Sequence, residues 1–161
     1  MSGVNKGHWV FRAKVLDRAG ALTSIASAFS NEGISITTVV GHGLEKQAGV
    51  DGSVVVTFFS SEEEKDVMVR KVKRLSKIKR LEECPYKSQD LRKSAIIRTS
   101  RRLIPPDVAG KETFLTTELV RTDDDGNIYF LAGSPNEIDP VLKRLEADGV
   151  VNDIVYSIIG L

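Results

Sequence analysis

Between Val15 and Ala21 the hydrophobic pattern changes its period, and this change restricts the possible folds more than any other feature. Trp9, Phe11, Ala13 and Val15 alternate with Val10, Arg12 and Lys14, the period-two signature of a strand with one buried face. From residue 21 to 32, Leu22, Ile25, Ala26 and Phe29 instead fall on one stripe at helical spacing. The short segment Leu16-Asp17-Arg18-Ala19-Gly20 must therefore carry the chain from a sheet into a helix. Gly33 follows where a left-handed helix stop is expected, because glycine has no β-carbon to clash there. The β-branched run over residues 34–40 predicts a second strand.

The rest of the first half completes a unit. Residues 41–52, with glycine at 41, 43, 49 and 52, read as a flexible connection. Residues 53–59 predict a third strand with Val54, Val56 and Phe58 facing one way. Ser60 and Ser61 followed by Glu62, Glu63 and Glu64 suit a helix start, where free amides and the helix dipole favour a hydroxyl and negative charge. Met68, Val72 and Leu75 give that helix its apolar stripe, and residues 78–83 predict a last strand with imperfect alternation. The order is βαββαβ. Right-handed crossovers then place both helices on one face of an antiparallel sheet, the ferredoxin-like arrangement.

Residues 85–91 are polar and short and read as a linker. Beyond it come a strand at about 94–100 and an irregular stretch over 103–110, where Pro105 and Pro106 forbid a regular helix. Strands near 113–122 and 127–132 flank the hairpin signal Asp123-Asp124-Asp125-Gly126. Ser134-Pro135-Asn136-Glu137 combines a capping hydroxyl, proline at the first helical position and glutamate three residues on. Ile138, Val141, Leu142 and Leu145 form the buried stripe, Gly149 ends the helix, and residues 151–159 supply the last strand. The expected fold is α+β, with a ferredoxin-like βαββαβ domain over residues 1–86. A second, degenerate ferredoxin-like domain, with its first helix shortened or lost, follows over residues 87–161. Each half is small for independent stability and is expected to pack on the other or on a partner chain.

Bulk chemistry excludes several functions. Of 161 residues, 23 are basic and 22 acidic, a net charge of +1 that calls for no nucleic acid or anionic membrane. The single cysteine, Cys84, cannot form an internal disulfide, and no stretch approaches the ~20 apolar residues of a membrane span. Residues 1–8 lack the apolar segment of a signal peptide, so the expected location is the cytoplasm. His8, His42 and Cys84 complete no metal-ligand spacing. Counted from Asp123 as a calcium loop, positions six and twelve are Ile128 and Ser134, not the required Gly and Glu. No Gly-x-Ser-x-Gly elbow or phosphate loop occurs, so no catalytic residue, metal or cofactor is expected. Arg70, Lys71, Lys73, Arg74, Lys77, Lys79 and Arg80 form a basic run, but Glu62, Glu63, Glu64, Asp66, Glu82 and Glu83 bracket it. It reads as a solvated, internally balanced surface. An RNA-binding sheet would also want stacking aromatics on its central strands, where only Phe59 stands. In the second half, Arg98, Arg101 and Arg102 beside Pro105, Pro106 and Asp107 are the one cluster suited to an anion, and a solvated strand end explains them better.

The strand-to-helix turn is the best candidate site. Backbone amides at the start of the helix, with the dipole behind them, suit a carboxylate. Gly20 permits close approach, and Asp17 is suited to an ammonium group. Read locally, Asp17 equally well caps the helix while Gly20 permits the turn. The motif Asp17-x-x-Gly20-x-Leu22, followed by a helix and then Gly33-Ile34-Ser35-Ile36, resembles the signature of the ACT domain over residues 8–83. The whole chain resembles small archaeal ACT-domain regulators of amino-acid metabolism that carry a second, ACT-like C-terminal domain. The resemblance implies a non-enzymatic regulator that binds a small ligand, usually an amino acid, as a homodimer or higher homo-oligomer. It implies a site at an interface, built from Asp17, Arg18, Ala19, Gly20, Ala21 and Leu22 of one unit and Ser35 and Ile36 of another. Ser35 stands where the family often has Asn. Two readings compete: an interaction module that regulates a metabolic enzyme without a small ligand, and an enzyme whose chemistry lies in the second half.

Overall fold

The computed structural model describes residues 5–16, 18–47, 50–109 and 115–160, with only the backbone given at residues 18, 44–47, 50 and 51. The chain divides into two compact units, one running to Ser88 and the other from Gln89 to Ile159.

The first unit is built from β1 (Gly7–Val15), α1 (Arg18–Asn31), β2 (Ile36–Gln47), β3 (Val50–Ser60), α2 (Glu62–Lys73) and β4 (Ile78–Pro85). Its sheet has the order β2-β3-β1-β4, and β1 runs antiparallel to both β3 and β4. One core unites alternate residues of β1 (Phe11, Ala13, Val15) and β3 (Val54, Val56, Phe58) with Ala21, Ile25 and Phe29 of α1 and Met68 and Val72 of α2. Both helices therefore lie on one face of the sheet, as the crossover rule requires. Phe11, Phe29 and Phe58 meet edge to face, with ring centroids 4.8 to 6.0 Å apart. Gly33 ends α1 at φ 68°, the left-handed conformation expected from the sequence. At the start of α2 the Glu64 amide donates to the Ser61 hydroxyl, and the Ser61 amide donates back to the Glu64 carboxylate, a capping box.

The second unit comprises β5 (Leu91–Thr99), a 3₁₀ turn (Pro105–Val108), β6 (Thr116–Asp123), β7 (Gly126–Gly133), α2′s counterpart α3 (Pro135–Ala147) and β8 (Val151–Gly160). Its strand order, β6-β7-β5-β8, reproduces that of the first unit position for position. The 3₁₀ turn occupies the place of the first helix, and the two prolines account for its brevity. The fold is thus a tandem of ferredoxin-like α+β units, the second carrying, among the described residues, a 3₁₀ turn where the first has its first helix. Ile138, Val141, Leu142 and Leu145 of α3 pack on Ala95, Ile97, Tyr129 and Leu131.

Several expectations need correction. Residues 41–52 are not a loose connection: β2 runs on to Gln47 and β3 begins at Val50, with Gly41 paired to Val54 and Gly43 to Gly52. Residues 48 and 49 lie outside the described residues, as do 110–114, where the start of the strand expected at 113 falls. The segment read as a polar linker carries buried groups, since Tyr86 and Leu91 are both sequestered from solvent. The Tyr86 amide donates to the His8 carbonyl. Ser134 has the extended backbone of a cap, yet its hydroxyl makes no capping hydrogen bond. Phe59 is not isolated: His8 is sandwiched between Phe59 and Tyr86, with centroid separations of 4.0 and 3.7 Å.

Candidate functional site

The turn from β1 into α1 is anchored from both sides. Val15, the last residue of β1, is fully buried, and the Leu16 amide donates to the Lys77 carbonyl at 2.9 Å, tying the strand end to the approach to β4. In α1, Ala21 is buried in the core and Leu22 packs against it, so these two hold the first turn in place. Ala19 is exposed and Gly20 half-buried, and both are small, so backbone lies close to the surface there. The first turn of α1 carries no acidic side chain, whereas that of α2 carries Glu62, Glu63 and Glu64. The positive end of the α1 dipole is therefore not offset within its own first turn, and an anion there is favoured electrostatically. Asp17 and the side chain of Arg18 lie outside the described residues.

Ser35 and Ile36 occupy the other end of the sheet. Strand register makes this plain: Val15 and Gly43 both pair with Gly52, whereas Ile36 and Trp9 both pair with Phe58. The 14 residues of α1 span the distance between the two ends, about 20 Å at the helical rise. Ala19, Gly20, Ala21 and Leu22 are thus together, and Ser35 and Ile36 are together, but one unit does not bring the two sets into one cavity. Ser35 is exposed and Ile36 half-buried at a shallow cleft of about 450 Å³, shared with Ala26, Phe29, Ser30 and Gly33. Just beyond it a bulge between Ile36 and Thr38 turns Thr37 and Thr38 toward the Thr57 hydroxyl, which bonds to both.

Two of the three arginines of the cluster in the second unit, Arg98 and Arg101, are spent internally. Arg98 pairs with Asp123 at 2.6 Å, and Arg101 grips Asp107 through two bonds of 2.7 and 2.9 Å. The Ile104 amide donates to the same carboxylate, while Arg144 donates to the Asp107 carbonyl at 2.7 Å. These bonds clamp the 3₁₀ turn to α3. The Arg101 guanidinium and the Ile104 amide favour the charged carboxylate and draw the Asp107 pKa from 3.8 down to about 2. The sign follows: the clamp is complete above the ordinary carboxylate value and is lost as pH falls through the folded one. A carbon-13 titration of the Asp107 carboxyl is expected to show a midpoint near 2 that returns toward 3.8 in Arg101→Gln. A midpoint near 3.8 in the native chain would rule out the clamp. Among the described residues, no group of three or more His, Cys, Asp or Glu is placed to hold a metal ion, and no helix is long and apolar enough to cross a membrane.

One polar surface was not foreseen from sequence. Thr23, Ser24, Ser27 and Asn31 share the α1 wall of a groove between α1 and α2. Their spacing of three and four residues was the available signal, since it puts them on one helical face beside the core stripe.

No family model matches the chain, and no curated protein matches it. Solved structures do. The acetolactate synthase small subunit from Thermotoga maritima superposes with a TM-score of 0.65 at 14% identity, covering 98% of this chain and 97% of that one. The regulatory subunit of aspartate kinase from Thermus thermophilus, in its ligand-free form, gives 0.46 at 13% identity, covering 90% and 93%. The first of these likenesses extends over nearly the whole chain, so the tandem arrangement of the two units is a fold shared with a solved protein.

Proposed function

We propose that this chain is a non-enzymatic regulatory protein of the ACT-domain family that binds an amino acid and thereby regulates amino-acid metabolism. Residues 1–86 form the ACT domain and residues 87–161 an ACT-like partner. The observation that carries the reading is the end-to-end likeness to a small subunit of a metabolic enzyme, acetolactate synthase, in a chain whose first unit bears the Asp17-x-x-Gly20-x-Leu22 turn. The α1 amino terminus suits the ligand's carboxylate, and Asp17 its ammonium group. Ser35 and Ile36, at the far end of the same sheet, complete such a site only from the first unit of a second copy of the chain. The functional form is therefore a homodimer or higher homo-oligomer, acting in the cytoplasm. Ligand shifts the assembly by its differential affinity for the two packings.

A thermal-shift screen of the twenty amino acids tests the proposal. At 100 times its dissociation constant a ligand stabilises the folded state by about 2.7 kcal/mol, so at least one amino acid is expected to raise Tm by several degrees. Ala19→Asp places a carboxylate at the exposed first turn of α1, where the dipole tolerates it but the ligand's own carboxylate is repelled. This variant is expected to keep the ligand-free Tm and lose the shift. If no amino acid stabilises the protein at millimolar concentration, amino-acid sensing fails, and co-purification with an enzyme would favour a pure interaction module. A shift that survives in Ala19→Asp would move the site away from this turn.

A further inference from the structure

The basic run at the end of α2 is only partly neutralised in the folded unit. Of the nearby acids, Glu64 closes the capping box and Asp66 and Glu83 hold Lys65, while Glu82 is shared between Arg12 and Arg80 of the run. Lys71 pairs with Glu32. Arg74 is exposed and makes no side-chain ion pair or hydrogen bond among the described residues. It stands with Lys71 on one wall of the α1–α2 groove, whose volume is about 510 Å³. The opposite wall carries Thr23, Ser24, Ser27 and Asn31. Thr23 bonds back to the Ala19 carbonyl, but the Ser24 and Ser27 hydroxyls and the Asn31 amide make no such bond and face the groove as available donors. Ala28 and Leu75 supply an apolar floor.

We propose that this groove binds the phosphate group of a small phosphorylated metabolite. A guanidinium facing several hydroxyl and amide donors suits an anion with several acceptor oxygens, and Arg–phosphate bonds are among the stronger charge-assisted ones. A carboxylate, with two oxygens, would leave much of the donor set unused. The volume exceeds what a bare ion needs and falls within the ~300–1,000 Å³ of small-molecule sites, and Leu75 and Ala28 give the organic portion a surface to cover. The site is separate from the β1–α1 turn, and the inference does not depend on amino-acid sensing there.

The test is an amide-shift titration of the nitrogen-15-labelled full chain with inorganic pyrophosphate, with adenosine monophosphate and with glutamate as a carboxylate control. One or both phosphate probes are expected to give saturable shifts at Ser24, Ser27, Asn31 and Arg74. Arg74→Gln is expected to weaken that binding about tenfold, the size of one lost charge-assisted bond. Lys79→Gln, which removes an exposed charge on β4 outside the groove, is expected to leave it unchanged. The absence of saturable groove shifts with either phosphate probe would overturn the proposal. Equal weakening by Arg74→Gln and Lys79→Gln would reduce it to general attraction by the basic run. Glutamate producing the same groove shifts at Ser24, Ser27, Asn31 and Arg74 as tightly as the phosphate probes would overturn the assignment of phosphate, whereas glutamate shifts confined to the β1–α1 turn report the other site.

Discussion

Gly126→Ala is expected to destabilise the second unit by at least ~3 kcal/mol, enough to remove most of the stability of a domain this small. Two independent obstacles add. Gly126 has φ +128°, a conformation L side chains rarely adopt, and a β-carbon built there would lie 2.4 Å from the Thr99 carbonyl oxygen. That oxygen is backbone in the neighbouring strand β5, so it cannot swing away as a side chain would. The turn itself explains the need. Asp123 pairs with Gly126, the Asp125 amide donates to the Asp123 carboxylate at 3.1 Å, and neither Asp124 nor Asp125 takes a positive φ. The whole left-handed excursion of the hairpin therefore falls on the glycine, as in a tight turn followed by a glycine bulge.

Gly33→Ala provides the internal scale. Gly33 has φ 68° but nothing within 4 Å of its would-be β-carbon, so alanine there meets conformational strain alone, about 1 kcal/mol. Amide hydrogen exchange reports the two units separately, which a single melting curve does not. In Gly126→Ala, protection is expected to fall across β5, β6 and β7, and in Gly33→Ala to fall modestly and only in the first unit. Equal losses in the two variants would show that the close approach to Thr99 is not energetically real.

How far the sequence could be read depends on which force set each element. Where one buried face was repeated regularly, as in β1 and α3, the pattern located the element and its core residues; in α1 it located the helix, but Ala26, read as part of the stripe, is exposed, and Ala21 takes a core place instead. Residues 41–52 failed for a physical reason. Glycine has no side chain to advertise a face, yet the cross-strand hydrogen bonds of β2 with β3 need only backbone, and Gly41 and Gly43 keep their partners. Pro85 was placed in a linker although it ends β4, and an edge strand tolerates its missing amide. Ser134 had the right residue type for a cap, but the Glu137 and Ile138 amides are met by its backbone carbonyl instead. The candidate site divides in the same way. Adjacent residues 19–22 act together because a helix start gathers them. The distance from Ser35 to that turn follows only from the register of three strands, which no local pattern carries.

Phe58→Ala is expected to cost the first unit about 3–5 kcal/mol, while Phe59→Ala, one residue along the same strand, is expected to cost roughly 1 kcal/mol. The contrast isolates burial from residue type. Phe58 has 0% of its surface exposed and meets both Phe11 and Phe29 edge to face at 4.8 Å, so its removal opens a cavity between β1, β3 and α1. Rigid strands on two sides limit how far that cavity can collapse, which places the cost toward the upper part of the range. Phe59 points to the other side of the sheet, is 49% exposed and stacks only on His8. Losing it removes one ring contact and little burial. Urea unfolding monitored by exchange in β1 and β3 separates the two, with the midpoint shifted strongly in Phe58→Ala and the m-value unchanged. Comparable losses in the two variants would mean that the helices do not cover the Phe11, Phe29 and Phe58 face.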